Sequence, residues 1–452
     1  MFQTLKNAWK IPELKNKILF TLMIIVLYRL GSNLPMPWVN PAMFESYFNA
    51  SGNALTWLNM LSGGALAQAT LFALSVSPYI TASIVIQLLT IAIPKFEEWA
   101  KEGEAGKKKL SAITRVLTVV LALVTAIGYT MFMSSQGMLT FTSNKEWSGL
   151  EKGFAYVVLV LAYCAGASVI MWLAEKINEH GIGNGISVIL FANIIARLPA
   201  MAGSIWSRCF TRWSAFATND KWRLIQWPIG GVLLLLFLAI LLFAVIAVVW
   251  FSNSERRIPV QYAKRVVGRK MYGGQSTTLP IKLDMAGVMP VIFASSIVSI
   301  LPTIAGFIPN SGFGKFVNNY LGHTSFPYIV LQLILIVAFA YFYISISFNP
   351  VEVSNNLRNN GGAIPGIRPG KPTVDYIKKI LGRITLLGAI FLCGLSGIPM
   401  IVNAIWYAID GVGISDLAFS GTSLLIVVGV ALETFRELEA QMTLRNYKGF
   451  LD

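Results

Sequence analysis

The sequence predicts an all-α, multi-spanning membrane protein, and three observations predict it. Of 452 residues, 55% are hydrophobic and 13% charged, with mean hydropathy +0.64; a soluble chain carries about 25% charged residues. The apolar runs are too long for the roughly 10-residue alternating segments of a membrane β-barrel. Lysine and arginine gather in alternate loops, the pattern that marks the cytoplasmic side.

Ten runs read as spans, near 18–34, 76–94, 112–133, 153–174, 185–199, 229–251, 285–305, 328–348, 384–406 and 421–440. A span takes about 20 apolar residues; the fifth run is short and opens on Gly181-Ile182-Gly183-Asn184-Gly185. Lys6, Lys10, Lys15 and Lys17 precede the first run, and no Lys or Arg occurs between Arg29 and Lys95. The loops after runs two, six and eight are strongly basic, so with ten spans they share the cytoplasmic side with both termini. The external loop carrying Arg197, Arg208, Arg212, Lys221 and Arg223 departs from that pattern. With five runs in each part, the sixth starts on the side opposite to the first, the arithmetic of two pseudo-symmetric inverted halves.

The expected organisation is therefore an amphipathic segment over 1–17, with Phe2, Leu5 and Trp9 on one side, then an N-terminal half over 18–200. An external loop over 201–228 leads to a C-terminal half over 229–440. That half carries cytoplasmic loops at 251–284 and 349–383, and a tail over 441–452 closes the chain.

The stretch Leu58 to Pro94 is too long and too interrupted for one membrane helix. Ser62-Gly63-Gly64-Ala65 is small and flexible, and Pro78 starts or kinks the apolar run that ends at Ile93. We expect a short half-helix, a break and then a true span. Irregular backbone at membrane depth is tolerated only where it faces protein or a water-filled cavity, so this stretch argues for a cavity.

The chemistry of the spans is sparse. Arg29, Glu175, Asp284 and Glu433 lie near span ends, where snorkelling accommodates them; Glu433 and Arg436 have i,i+3 spacing for an ion pair. Poverty of mid-membrane charge argues against ion-coupled transport. Ile80 and Ile84 share a helix face, Ile186 and Leu190 repeat the spacing, and Ile292 and Ile426 fall in mid-span. Spacing alone reads these as core or lipid-facing aliphatics; the sharper reading is a hydrophobic constriction. Ser75, Thr81, Gln87, Asn184, Ser295 and Ser296 could bond neighbouring helices or line a polar seam between helices that part.

Residues 251–284 alternate apolar and polar around Ile258 to Tyr262 and read as a protruding hairpin. Two basic loops of about 30 residues exceed what topology needs and suit docking of a large partner. His180 and His323 are isolated and no GxxxxGK[ST] loop occurs, so no metal, nucleotide or other cofactor is implied.

Several stretches together resemble one family. They are LNMLSGGALAQATLFALSVSPYITASIVIQLL, KEGEAGKKK, GIGNGIS, RRIPVQYAKR, MAGVMPVIFASSI, PGIRPG, GTSLLIVV and RNYKGF, in order across almost the whole chain. The set is similar to the bacterial SecY family, channel subunits of the protein translocon in the cytoplasmic membrane. The resemblance implies two halves closing around a central hourglass pore. It implies a plug near 58–72 that seals the external funnel and includes Gly63, Gly64, Ala65, Leu66, Ala67, Gln68, Ala69 and Thr70. By motif match, Ile80, Ile84, Ile186, Leu190, Ile292 and Ile426 resemble the pore ring, with Leu190 in place of a more usual isoleucine. Spans two and three against seven and eight resemble the lateral gate, whose polar candidates are Ser75, Thr81, Gln87, Asn184, Ser295 and Ser296. Arg256, Arg257, Lys264, Arg265 and Arg368 resemble docking sites for a SecA-like ATPase motor or the ribosome. Small SecE-like and SecG-like membrane subunits, signal sequences, unfolded or nascent polypeptides and anionic lipids complete the implied partners.

Two other classes compete. A ten-helix secondary transporter of small solutes predicts mid-membrane carboxylates or a cation site, and the sequence offers few. An intramembrane protease predicts a nucleophile beside His or two mid-span aspartates; neither His is near mid-span, and Asp284 and Asp410 lie at span ends.

Overall fold

The computed structural model describes residues 6, 8–40, 43, 59, 62–143, 147–210, 220–262, 265–267, 270–272, 276–308, 311–322, 325–410 and 415–448. Helix α1 covers Pro12–Gly31, with Pro12 in the first turn, where its missing N–H costs nothing. Helix α2 covers Ser77–Ala92, again with proline in its first turn. Residues 62–69 form successive turns; residues 58, 60 and 61, at the start of the stretch expected to hold a half-helix, lie outside the described residues. Three residues there take left-handed backbone: Gly63 at φ 69°, Gly64 at φ 93° and Ala69 at φ 47°. Such a backbone cannot propagate a helix.

Helix α3, Pro94–Lys101, turns away from α2 by 102°. The residue before a proline is driven out of the helical region, and Ile93 is extended at φ −116°, ψ 116°. Helix α4 covers Glu104–Ser135, α5 Thr140–Ser143 and α6 Gly149–His180. A capping box starts α6, Ser148 accepting from the Glu151 N–H and Glu151 from the Ser148 N–H. Helices α7, Gly185–Phe210, and α8, Asp220–Asn253, extend well into the 201–228 stretch expected as a loop.

The hairpin comes next as strands β1, Glu255–Tyr262, β2, Arg265–Val267, β3, Lys270–Tyr272, and β4, Ser276–Lys282. Then come α9, Met289–Phe307, α10, Gly312–Tyr320, α11, Phe326–Ser347, and α12, Pro350–Asn359. Strand β5, Gly362–Ala363, precedes the long helices α13, Lys371–Asp410, and α14, Ser415–Lys448.

Among the described residues, five helical segments are long and apolar enough to cross a membrane: Glu104–Ser135, Gly149–His180, Leu234–Asn253, Phe326–Asn359 and Lys371–Val402. The bent pair α2–α3 makes a sixth if counted as one span, and Gly185–Ala200 and Met289–Ala305 are shorter apolar helices. The bundle converges on one hydrophobic cluster fed by α1, α2, α6, α7, α9, α11, α13 and α14. In the bundle α9 lies against α2, α4 and α11, and α14 against α7, α8 and α13. A second cluster joins α4, α6 and the turns at 65–73.

Candidate pore constriction

The six aliphatic residues that resemble the pore ring come from α2, α7, α9 and α14, and all six belong to or pack against one hydrophobic cluster. Ile80, Ile84, Leu190, Ile292 and Ile426 are 1–3% exposed and belong to one continuous cluster, with Ile186 packed against it. Val188, Val291 and Val430 lie in the same cluster. These aliphatic side chains offer no hydrogen-bonding group, so what they contribute to the centre of the bundle is dispersion and exclusion of water.

The turns at 62–70 are packed as tightly. Ala65, Leu66, Ala69 and Thr70 are buried, while Gln68 is exposed. Local bonds shape the segment: the Ser62 hydroxyl accepts from the Leu66 N–H at 3.0 Å, and Asn59 Oδ1 accepts from the Ala67 N–H at 2.8 Å. The Thr70 hydroxyl donates to the Ala65 carbonyl at 3.2 Å. Gly63 is fixed by space as well as by φ: a Cβ there would lie 3.0 Å from the Arg29 guanidinium and 3.0 Å from Asn193 Oδ1. Two hydroxyls outside the segment bond its backbone, Tyr129 Oη to the Leu66 carbonyl at 2.9 Å and Tyr163 Oη to the Ala69 carbonyl at 3.5 Å. Sequence reasoning passed over both tyrosines. The signal was a phenol in the middle of an apolar run, which needs a partner when buried.

The polar candidates mostly serve their own helices. Thr81 donates to the Ser77 carbonyl at 3.1 Å, Gln87 to Ser83 Oγ at 3.5 Å and Ser295 to the Ile292 carbonyl at 3.0 Å. Ser296 accepts at its carbonyl from the Ser299 hydroxyl at 2.8 Å. Asn184 caps α7, its Oδ1 accepting from the Ile186 N–H at 3.1 Å. Ser75 sits at φ 55°, beside the buried Tyr28 hydroxyl.

At one end of the bundle, polar contacts tie α14 to the chain before α7. The Gly183 N–H donates to Glu437 Oε2 at 2.9 Å, and Lys17 Nζ donates to Gln441 Oε1 at 3.2 Å. Gly183 has φ 85°, and a Cβ there would meet Thr434 Oγ1 at 2.9 Å. Arg436 crosses to α8, donating to the Ser252 carbonyl and to Asn253 Oδ1, where the spacing suggested Glu433 as its partner. Glu175 pairs with Arg115 at 2.8 Å. Burial pushes the Asp284 carboxyl above the usual range, against the Ser252 hydroxyl, which donates to it at 3.0 Å, and the nearby Arg436 charge.

The basic loops prove to be joined. Strand order is β4-β1-β5, with Gln261 opposite Ala363 and Tyr262 opposite Gly362. Ile258, Ile281, Ile364, Ile377, Ile380, Leu381 and Ile384 form a small core beneath, and Ile367 packs on it. Arg256, Arg257 and Arg368 stand exposed on this body, with Arg257 paired to Glu255 at 2.7 Å. Lys264 lies outside the described residues, and Arg265 is placed in β2 by its backbone.

The fold is that of the protein-conducting channels. A SecY structure, whose plug domain is described as stabilizing the closed translocation channel and maintaining a membrane seal, matches with TM-score 0.59. It has 17% identity, and the match covers 95% of this chain and 92% of the other. Sec61 from a canine ribosome–channel complex of the endoplasmic reticulum matches with TM-score 0.55 at 16% identity, covering 95% and 92%. The SecY family model matches residues 70–435. The protein translocase subunit SecY of Mycobacterium tuberculosis is 42% identical over 464 residues, covering 100% of both chains. The chain belongs to the SecY family and is a protein translocase subunit. The solute-transporter reading gains no support from these matches.

Proposed function

We propose that Ile80, Ile84, Ile186, Leu190, Ile292 and Ile426 form the constriction through which this channel passes unfolded polypeptides. Their convergence from four helices on one hydrophobic cluster, five of them buried in it and Ile186 packed against it, carries the reading. An extended chain advances about 3.3 Å per residue and is narrow enough to thread. A ring without donors or acceptors grips no particular sequence, and aliphatic side chains can close as a gasket around what passes. The turns at 63–70 act as a plug in the resting state. Spans two and three part from seven and eight to release signal sequences and transmembrane helices, a choice between pore and lipid governed by apolar burial. The hydrogen bonds of the Thr81, Gln87 and Ser295 side chains support such parting, because each stays within its own helix.

The channel sits in the bacterial cytoplasmic membrane with both termini in the cytoplasm, five spans in each inverted half. SecE-like and SecG-like subunits accompany it, and anionic lipids meet its basic loops. A SecA-like ATPase or the ribosome docks on the body carrying Arg256, Arg257 and Arg368, and no cofactor is needed in the channel itself.

The test is polar substitution in the ring. Burying an unpartnered amide costs roughly 1–3 kcal/mol, and that cost falls on the closed state. A bias of about 1.4 kcal/mol changes the open-to-closed ratio tenfold. Ile292→Asn and Ile426→Asn should therefore export a reporter with a crippled signal sequence. Failure of both variants to do so at normal abundance would remove the ring assignment.

A further inference from the structure

We propose that Tyr129 and Tyr163 are positioning residues that latch the plug in its resting seat. The inference rests on the reading of residues 63–70 as a plug. The two rings stand edge to face on facing helices, α4 and α6, with centroids 5.2 Å apart at 73°. Both side chains are buried within a cluster otherwise built from Leu66, Ala69, Phe132, Met133, Phe141 and their neighbours. Phenylalanine would fill this space as well. The hydroxyls add bonds to the segment: Tyr129 donates to the Leu66 carbonyl at 2.9 Å, and Tyr163 reaches the Ala69 carbonyl at 3.5 Å.

These two carbonyls hold the segment in different ways from the rest of it. The bonds within 59–70 are local and would travel with the segment as it moved. Ties between backbone groups of the segment and the surrounding scaffold are present at its C-terminal end, where the Met36 N–H donates to the same Ala69 carbonyl at 3.3 Å and Thr70 bridges Pro35. Tyr129 extends that hold to Leu66, inside the mobile part. Displacing the plug strips the phenols and the carbonyls of each other in an apolar setting, and a buried donor or acceptor left unmade is costly. When the funnel opens, water reaches both, so the hold acts on the closed state alone. Gly63 and Gly64, at positive φ, provide the hinge on the other side of the held residues.

The experiment measures resting ion conductance per channel, for the full-length chain with its partner subunits in planar bilayers. Tyr129→Phe should raise the leak roughly fivefold, the ratio one buried hydrogen bond sustains. Tyr163→Phe, with the longer bond, should raise it less, and the double variant more than either. Tyr156→Phe is the control: its hydroxyl lies in the same cluster but pairs with Ser134, between α6 and α4 rather than with the plug. It should leave the leak at the wild-type value. Deletion of residues 63–70 sets the scale for a missing plug.

Equal leaks from Tyr156→Phe and Tyr129→Phe would mean general loosening of the cluster and overturn the latch. A leaking deletion beside silent Tyr129→Phe and Tyr163→Phe would leave the plug standing and remove the latch. Silence of the deletion as well would remove both. Should the double variant fail to accumulate, Tyr163→Phe alone, with the weaker bond and the smaller loss, decides against Tyr156→Phe.

Discussion

In the bundle, Ile80, Ile84, Leu190, Ile292 and Ile426 are contributed by four helices to one buried hydrophobic cluster, with side chains that offer no hydrogen bond. On the extramembrane body, Arg256, Arg257 and Arg368 stand exposed on a framework of paired strands and a small isoleucine-rich core. On the proposed reading, the difference comes from what each region has to recognise. A constriction that must admit any sequence does best with groups that prefer none, and apolar contact is non-directional. A docking surface must hold charges at fixed separations, and a guanidinium recognises carboxylate or phosphate through a fork of donors whose orientation matters. The ring is thus defined by composition and volume, and the sheet by position.

The largest expected effect tests the positional side. Arg368 is presented by a turn in which the Ile367 N–H donates to the Ile364 carbonyl at 3.0 Å and the Thr373 hydroxyl to the Arg368 carbonyl at 2.9 Å. Ile364 and Ile367 are anchored in the core below. Arg368→Glu keeps that backbone and reverses the charge, so motor-driven export should be abolished while membrane insertion and partner binding survive. Export at the wild-type rate would reduce Arg368 to one more topological charge and break the comparison. A much smaller effect is expected in the ring. Ile292→Leu conserves volume, and such swaps usually cost under about 1.5 kcal/mol; export should stay within about threefold of wild type. A collapse of export at normal abundance would show that the ring is read by shape after all.

The class of the protein was legible in the sequence because hydropathy and Lys/Arg asymmetry act locally along the chain. The ring residues were legible only in part: the i,i+4 spacing of Ile80 and Ile84 exists equally on lipid-facing helices, and the convergence with Ile292 and Ile426 is a property of packing. The hairpin around Ile258 was visible as alternation, but its pairing with Gly362 and Ala363 was not, since a two-residue strand carries no periodicity. Arg436 shows the same limit. Its i,i+3 neighbour Glu433 is the obvious partner on one helix, yet the end of α8 offers the Ser252 carbonyl and Asn253 instead. Tyr129 and Tyr163 were hidden for a related reason, because their acceptors are backbone carbonyls with no side-chain signature.

The smallest expected effect falls at Asp284, where the two regions join. Strand β4 ends at Lys282 and α9 starts at Met289, so Asp284 lies between the docking body and the helix carrying Ile292. Its carboxylate accepts from the Ser252 hydroxyl at 3.0 Å and from the Gly287 N–H, with the Arg436 charge nearby. Burial outweighs these contacts and raises its pKa. An acid whose folded pKa is raised contributes stability that is complete below its unfolded pKa, about 3.9, and that is lost as pH rises through the folded pKa. Asp284→Asn keeps an oxygen for Ser252 and Gly287 and removes the charge, so the variant should melt slightly above the wild type at neutral pH. The gap should close as pH falls below about 3.9, where the acid is protonated in the folded and unfolded states alike. Thermal unfolding of the purified complex across that range checks it. A variant less stable than the wild type at neutral pH would mean that attraction to Arg436 outweighs burial, and that the junction is held by charge rather than by exclusion of water.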